Sequence, residues 1–407
     1  MTTGTAGSDP GLSPDDVVRI RLASQQLRAP LAASPEDALK NLLAVQAQEF
    51  SYARWSLAQR TPGATADDVE RAVADGRILR THILRPTWHF VHRDDLPWLR
   101  ALSAPRLHQA NGGMYRRTGI DAATAGRSGE ILAAAVAGAR HRTREQLAAE
   151  LQRAGFPAKG LVLAYLIMHA EISGVLVSGT PVRGAGGALR QTYAAFDERV
   201  TAAASKQATA APREQSLAAL AMRYFRSRGP ATVKDCADWS GQTMADVWQG
   251  LSLVLADDPA ALETAVIDGV VFYRGPEDFP RGDAGAGNGV VNHSPRIDLV
   301  QCYDEYIMGY SASRGYLGGV APALPVDDTP MHVVLLDGAM AGSWRHTFVR
   351  PASPDQRCEL DVRMAVSSGP SAGGASEAAT HGQGTAAAVA QAVERYSGFL
   401  GMPTTRI

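Results

Sequence analysis

Leu42-Leu43-Ala44-Val45-Gln46-Ala47-Gln48-Glu49-Phe50 is the stretch on which the reading of this chain turns. An apolar run at helical spacing leads into it, from the start signal Ser34-Pro35-Glu36-Asp37 through Ala38, Leu42, Leu43 and Val45. The run gives out at two glutamines two residues apart. In a continuous helix such residues point about 200° apart, whereas in extended chain they point the same way. The spacing therefore predicts that Gln46 to Phe50 leaves the helix, with Ala47 turned inward and Ser51 capping the next helix. Taken alone, the pair more readily solvates a helix surface than it forms a site.

Working outward, Ser13-Pro14-Asp15-Asp16 starts an earlier helix that Pro30 ends, and Asp67-Asp68 opens a later one that Gly76 ends. Then the period changes. Ile78 to His92 is rich in β-branched and aromatic residues and reads as strand. Helices followed by a two-stranded wing form the winged-helix pattern. Alternation puts Trp88, Phe90 and His92 on one face of that wing and His89, Val91 and Arg93 on the other.

The pattern recurs. Thr143-Arg144-Glu145-Gln146 is a capping-box start, Leu161 to Ile172 a buried helix and Gly174 to Val177 a short strand. A third copy has helices over 217–225, 232–239 and 244–253, then a hairpin over 266–273 with an Asp-Gly turn. Short strands at 299–300, 333–338, 342–349 and 358–366 follow, and a last helix over 386–400. The expected fold class is α+β: three tandem winged-helix units and a small C-terminal β-barrel or sheet. The expected boundaries are a disordered 1–12, units at 13–110, 111–205 and 206–275, and a C-terminal unit at 276–407. The Gly- and Pro-rich 276–294 is read as a loop, and 367–385 as low-complexity.

Composition sets limits on function. No apolar run approaches the ~18 residues of a membrane span, and no secretory signal is read at Met1 to Pro10. Cys236, Cys302 and Cys358 are far apart and odd in number, which argues against a disulfide framework or zinc site and for the cytoplasm. Net charge is −1, yet residues 77–144 hold twelve arginines against four acids, enough for a local positive field in a neutral protein.

With these segments in view, the chain resembles the bacterial tandem winged-helix proteins that include the AlkZ-like DNA glycosylases. The resemblance rests on Leu42 to Gln48, on Arg80-Thr81-His82-Ile83-Leu84-Arg85-Pro86-Thr87-Trp88-His89-Phe90-Val91, on Arg223-Tyr224-Phe225 with Gly229-Pro230-Ala231-Thr232 and Asp238-Trp239-Ser240-Gly241, and on Tyr303-Asp304-Glu305-Tyr306 with Gly309-Tyr310. It implies three winged-helix units cradling double-stranded DNA and hydrolysis of the N-glycosidic bond of N7-alkylguanine, bulky adducts and interstrand crosslinks included. The family signature is Gln-apolar-Gln or Gln-apolar-Asp, which falls here on Gln46 and Gln48 as catalytic residues. Pro86 departs from the pattern, which has Gly there.

Glutamine does not titrate, so neither residue is a general base, and the paired carboxylates of glycoside hydrolases are absent. For an N7-alkylated guanine this suffices, because the cationic base leaves as a neutral molecule. What remains is to position water against C1′, an effect worth on the order of 7–11 kcal/mol in the best cases. No metal or organic cofactor is expected. No lysine closer than Lys40 suggests a Schiff-base step, and bulky lesions call for an open site. Arg85, His89, His92 and Arg93 are the expected DNA contacts, and the two histidines make a poor metal pair. Asp304 and Glu305, being adjacent, do not share a face, so one is read as structural; Trp239 and Trp344 are read as core. The competing reading is a non-enzymatic winged-helix DNA-binding regulator. Three units in one chain favour a monomer over such a regulator's dimer.

Overall fold

The computed structural model describes residues 12–184, 189–276, 294–319, 332–349, 357–365 and 375–407. The expectations for residues 1–11 and 277–293, for the last residue of the strand over 358–366 and for 367–374 of the low-complexity stretch lie outside these. Helix α1 (Pro14–Ser24) starts at the expected signal, with Ser13 as its N-cap, and Asp16 completes a capping box. Helix α2 (Pro35–Leu42) is followed by strand β1 (Ala44–Gln46), α3 (Phe50–Ala58), α4 (Ala66–Ala74), β2 (Ile78–His82) and β3 (Trp88–His92). The hairpin expected to stand out as a two-stranded wing is instead part of a three-stranded sheet in the order β1-β3-β2. The glutamine segment itself supplies the third strand, with Ala44, Val45 and Gln46 opposite Val91, Phe90 and His89.

Two long helices were not anticipated: α5 (Leu96–Thr118) and α6 (Ala122–Val136). Strand β4 (Arg142–Thr143), helices α7 (Arg144–Arg153) and α8 (Gly160–Ile172), and strands β5 (Leu176–Ser178), β6 (Val182–Arg183), β7 (Leu189–Arg190) and β8 (Thr192–Ala195) follow. These include a sheet in the order β4-β8-β5. After α9 (Phe196–Arg199) and α10 (Ala202–Ala210) come α11 (Arg213–Arg228), α12 (Val233–Ser240), α13 (Met244–Asp257) and the hairpin β9 (Glu263–Ile267) with β10 (Val270–Arg274). Its turn residues Asp268 and Gly269 have φ of 52° and 78°, as an Asp-Gly turn requires.

The C-terminal part is an open sheet and not a closed barrel among the described residues. Its order is β11 (Ile297–Val300), β12 (His332–Leu336), β13 (Ala339–Val349), β14 (Arg357–Met364) and β15 (Thr404–Arg406). A short helix, α14 (Glu305–Met308), follows β11, and α15 (Ala375–Leu400) begins inside the stretch read as low-complexity.

Hydrophobic contacts tie distant parts of the chain together. Residues between Ile120 and Tyr193 enclose a core of their own. The first segment does not: Leu43, Ala44, Leu79 and Val91 share a core with Tyr224, Phe225, Trp239, Tyr306 and Tyr310. Its other side, with Val45, Trp55 and Phe90, packs on Trp344, Tyr396 and Phe399. Trp239 and Trp344 are thus core residues, as expected.

Candidate active site

The segment around Gln46 leaves α2 abruptly. Leu43 adopts φ 65° and ψ −48°, a left-handed turn conformation unusual for a side chain as bulky as leucine. The helix therefore ends three residues before Gln46, earlier than the apolar spacing suggested. Ala47 is fully buried, as foreseen. Ser51 lies inside α3, whose N-cap is Glu49 without a side-chain hydrogen bond.

As an edge strand, β1 needs partners for the backbone groups turned away from β3. Buried side chains from the C-terminal half supply them. Glu305 Oε1 accepts from the Gln46 N–H at 2.9 Å, and Gln301 Nε2 donates to the Gln46 carbonyl at 3.3 Å. Arg228 Nη2 donates to the Ala44 carbonyl at 3.1 Å and to Glu305 Oε2 at 2.6 Å. Trp239 Nε1 donates to the same carboxylate oxygen at 2.7 Å. Asp304 pairs with Arg60 at 2.7 Å, both fully buried. Burial pushes the Asp304 carboxyl up, but the Arg60 guanidinium and hydrogen bonds from Ser56 and the Tyr306 N–H hold it below the ordinary value. Both adjacent acids are thus held in buried ion pairs and hydrogen bonds, where one was expected to be structural.

The side chains of both glutamines turn to the loop between β2 and β3. Arg85 Nη2 donates to Gln46 Oε1 at 2.9 Å, and the Trp88 N–H donates to Gln48 Oε1 at 2.8 Å. Guanidinium and backbone N–H are donors only, so both amides are oriented without ambiguity. Each keeps a second oxygen lone pair and presents its NH2 on the other side. The loop is tight: Leu84 has φ 62°, and Arg85 N–H and Thr87 N–H donate to the carbonyls of Ile83 and Arg85, each at 2.7 Å. Gly241 backs it, since a Cβ there would lie 2.4 Å from the Leu84 carbonyl oxygen.

Gln46 and Gln48 differ in setting. Gln46 is 4% exposed, whereas Gln48 is half-buried. Gln48 lines a cavity of about 170 Å³ with Phe50, Arg80, Arg190 and Gln191, and Gln46 is not among its walls. Arg80 Nε donates to the Ala47 carbonyl at 2.8 Å and Nη2 to the Gln48 carbonyl at 3.1 Å. Arg80 was quoted in the sequence but given no role. A charged residue within the β-branched and aromatic run of Ile78 to His92 was the available signal.

Three of the four expected DNA contacts are turned inward or withdrawn. Arg85 points inward to Gln46. His89 has no exposed surface, which corrects its assignment to a groove contact. Its Nδ1 lies 3.0 Å from the Thr87 carbonyl, so that nitrogen carries the proton and Nε2 faces Arg85 at 3.5 Å. Burial, then Arg85, lowers its pKa well below the ordinary value and keeps it neutral. His92 is 6% exposed and accepts from the Asp94 N–H at 3.3 Å, so its ring too is largely withdrawn from a groove. Arg93 is half-buried. The arginine-rich stretch also presents less positive surface than its count suggests, because Arg80 is buried and Arg77 pairs with Glu36 and Asp75.

A second polar cluster joins Glu49, Cys302 and His332, whose donor atoms lie within 4.8 Å of one another. The Cys302 N–H donates to His332 Nδ1 at 3.1 Å. That bond leaves the ring proton on Nε2, the atom facing Glu49, which is the wrong tautomer for ligation there.

A family model described as "DNA glycosylase AlkZ-like" matches residues 39–399. The fold is similar to that of Streptomyces sahachiroi DNA glycosylase AlkZ, with a TM-score of 0.67 and 18% identity over 98% of this chain and 100% of that one. No curated relative matches the sequence.

Proposed function

This chain belongs to the AlkZ-like DNA glycosylase family, hydrolases that act on DNA, and from that premise we propose that it excises cationic N7-alkylguanine, bulky adducts and crosslinked bases included. The observation that supports this reading is the pair of oriented amides at one hairpin loop, Gln46 on Arg85 and Gln48 on the Trp88 N–H. Gln46 and Gln48 are the catalytic residues. Their remaining oxygen lone pairs accept hydrogen bonds from the attacking water, whose oxygen bonds to C1′ as the C1′–N9 bond breaks, the base leaves neutral with the electron pair and the water's surplus proton passes to solvent. Their NH2 groups donate to sugar or phosphate oxygens. The nearest carboxylate to Gln46, Glu305, is spent on the Gln46 backbone, Arg228 and Trp239. With Glu305 engaged in this way, rate is gained by positioning, and only a base already poised to leave is released.

The enzyme acts as a cytoplasmic, nucleoid-associated monomer whose helix–sheet units form a winged-helix cradle for the duplex, and Arg93 is the remaining backbone contact of the expected four. Among the described residues no helix is long and apolar enough to cross a membrane. The test is a duplex bearing N7-methylguanine, incubated with protein and then treated with base to cut abasic sites. Strand cleavage at the lesion and not at undamaged guanine is the expected result. Cleavage no higher than background rejects the activity for small lesions and favours the non-enzymatic DNA-binding reading.

A further inference from the structure

The cavity beside Gln48 has an apolar side, formed by Phe50, Val73, Pro181 and Leu189, and a polar side made mostly of donors. Arg80 is 6% exposed, and no carboxylate of the described residues lies within ion-pair distance of it. Glu171, the acid whose field it feels, lies 2.6 Å from His82 instead. The Arg80 guanidinium stacks over Trp88, 4.3 Å from the ring centroid, and its Nη1 donates to Gln191 Oε1. That bond fixes the Gln191 amide, so Nε2 faces the other way, buried and without a partner. Arg190 stands exposed among the lining residues, and its nearest acid, Glu145, is 3.9 Å away and itself exposed, a contact of little worth. Ser178 and Gly179 complete the polar side, and none of the described residues lining the cavity is a carboxylate.

A cation held out of water without a counter-ion is costly, and a donor left unmet beside it adds to that cost. An oxyanion relieves both. Guanidinium forks fit phosphate oxygens especially well. At roughly 30 Å³ per water, a cavity of about 170 Å³ accepts a phosphate group with its hydration. A neutral base edge matches the donors but leaves the charge uncompensated.

We propose that this cavity is a phosphate-binding site, in which Arg80, Arg190 and Gln191 Nε2 hold one backbone phosphodiester of the damaged strand beside Gln48. The inference rests on the DNA-directed function proposed above. Because Arg80 also holds the Ala47 and Gln48 carbonyls, a bound phosphate engages the same side chain that fixes the backbone of the catalytic segment.

The test is a binding scan with a labelled duplex carrying N7-methylguanine on a 2′-fluoro sugar, which resists cleavage. Each phosphate near the lesion is replaced in turn by a neutral methylphosphonate. A charge-assisted contact is worth about tenfold in affinity, so one position weakens wild-type binding by about that factor. The same replacement has a much smaller effect on Arg80→Gln and on Arg190→Ala. Gln191→Leu, which leaves Arg80 in place, reduces the effect about threefold and guards against a general disturbance by Arg80→Gln. A scan with no sensitive position, or one equally sensitive in the variants, overturns the proposal. Inorganic phosphate at constant ionic strength forms the second arm. If it stabilises wild type but not Arg190→Ala while no position is sensitive, the occupant is free phosphate and the DNA assignment fails. Binding is read separately from base release, so a positive scan without excision rejects the glycosylase reading and leaves the phosphate site standing.

Discussion

Two buried arginines flank the glutamine segment and make an instructive pair. Arg228 donates to the Ala44 carbonyl and lies over Trp239, 4.2 Å from the ring centroid. Arg80 donates to the Ala47 and Gln48 carbonyls and lies over Trp88 at 4.3 Å. The decisive difference is the counter-ion. Arg228 has Glu305 at 2.6 Å and is sealed in a core, whereas Arg80 has no carboxylate in ion-pair range and faces a cavity. The same side chain thus serves as a fixed strut on one side of the segment and as a charge awaiting an anion on the other.

The largest way to break the comparison is to remove the counter-ion. Glu305→Ala strands the Arg228 charge and the Gln46 N–H, and should cost about 3–5 kcal/mol of stability, measured by urea unfolding. Arg80→Leu removes a charge that has no ion pair and leaves two carbonyls wanting, so its loss should be smaller, about 1–3 kcal/mol. Equal losses would erase the distinction between the two sides.

Acid should expose the site's dependence on neutral histidines. The folded-state pKa of His89 is depressed by burial, as is that of His332, to about 3. Below about pH 6.5 the unfolded chain binds protons that the folded chain refuses, so stability falls as pH drops, by up to about 1.4 kcal/mol per unit for each histidine. Asp304, with its depressed pKa, adds a further loss only below the ordinary carboxylate range. A melting temperature that is flat between pH 7 and pH 5 would contradict the buried, neutral state of these rings.

Next in size is Arg85→Ala, which frees the Gln46 amide to rotate. Single-turnover base release should slow by about tenfold, the 1.4 kcal/mol scale of one oriented hydrogen bond, with DNA affinity nearly unchanged. A loss confined to affinity would return Arg85 to the DNA contacts. The smallest effect is an expected absence of one: with Gln46 and Gln48 unable to titrate, the rate should stay level from pH 7 to 9, and a clear inflection there would reveal a base elsewhere.

Much of the local structure was legible because it depends on local chemistry. The capping residues Ser13, Ser34 and Thr143 start helices where the sequence placed them, and Ala47 is buried as its spacing implied. Other features depend on tertiary context. The left-handed turn at Leu43 carries no glycine to announce it. Helix α5 runs through Pro105 and Gly112-Gly113, which read as breakers. The inward turn of Arg85 and His89 follows from β1 joining the hairpin, a pairing across more than forty residues. The amides' settings were equally hidden, since Glu305 meets the Gln46 N–H from 259 positions away.

The account's central claim is that this assembled cluster does its chemistry through Gln46 and Gln48. It is tested most directly by single-turnover release of N7-methylguanine from a duplex by wild type, Gln46→Ala and Gln48→Ala, with unfolding curves for all three. Each variant should slow release by more than about tenfold, the scale of a lost positioning contact, while remaining folded. Folded variants that release the base at the wild-type rate would contradict it.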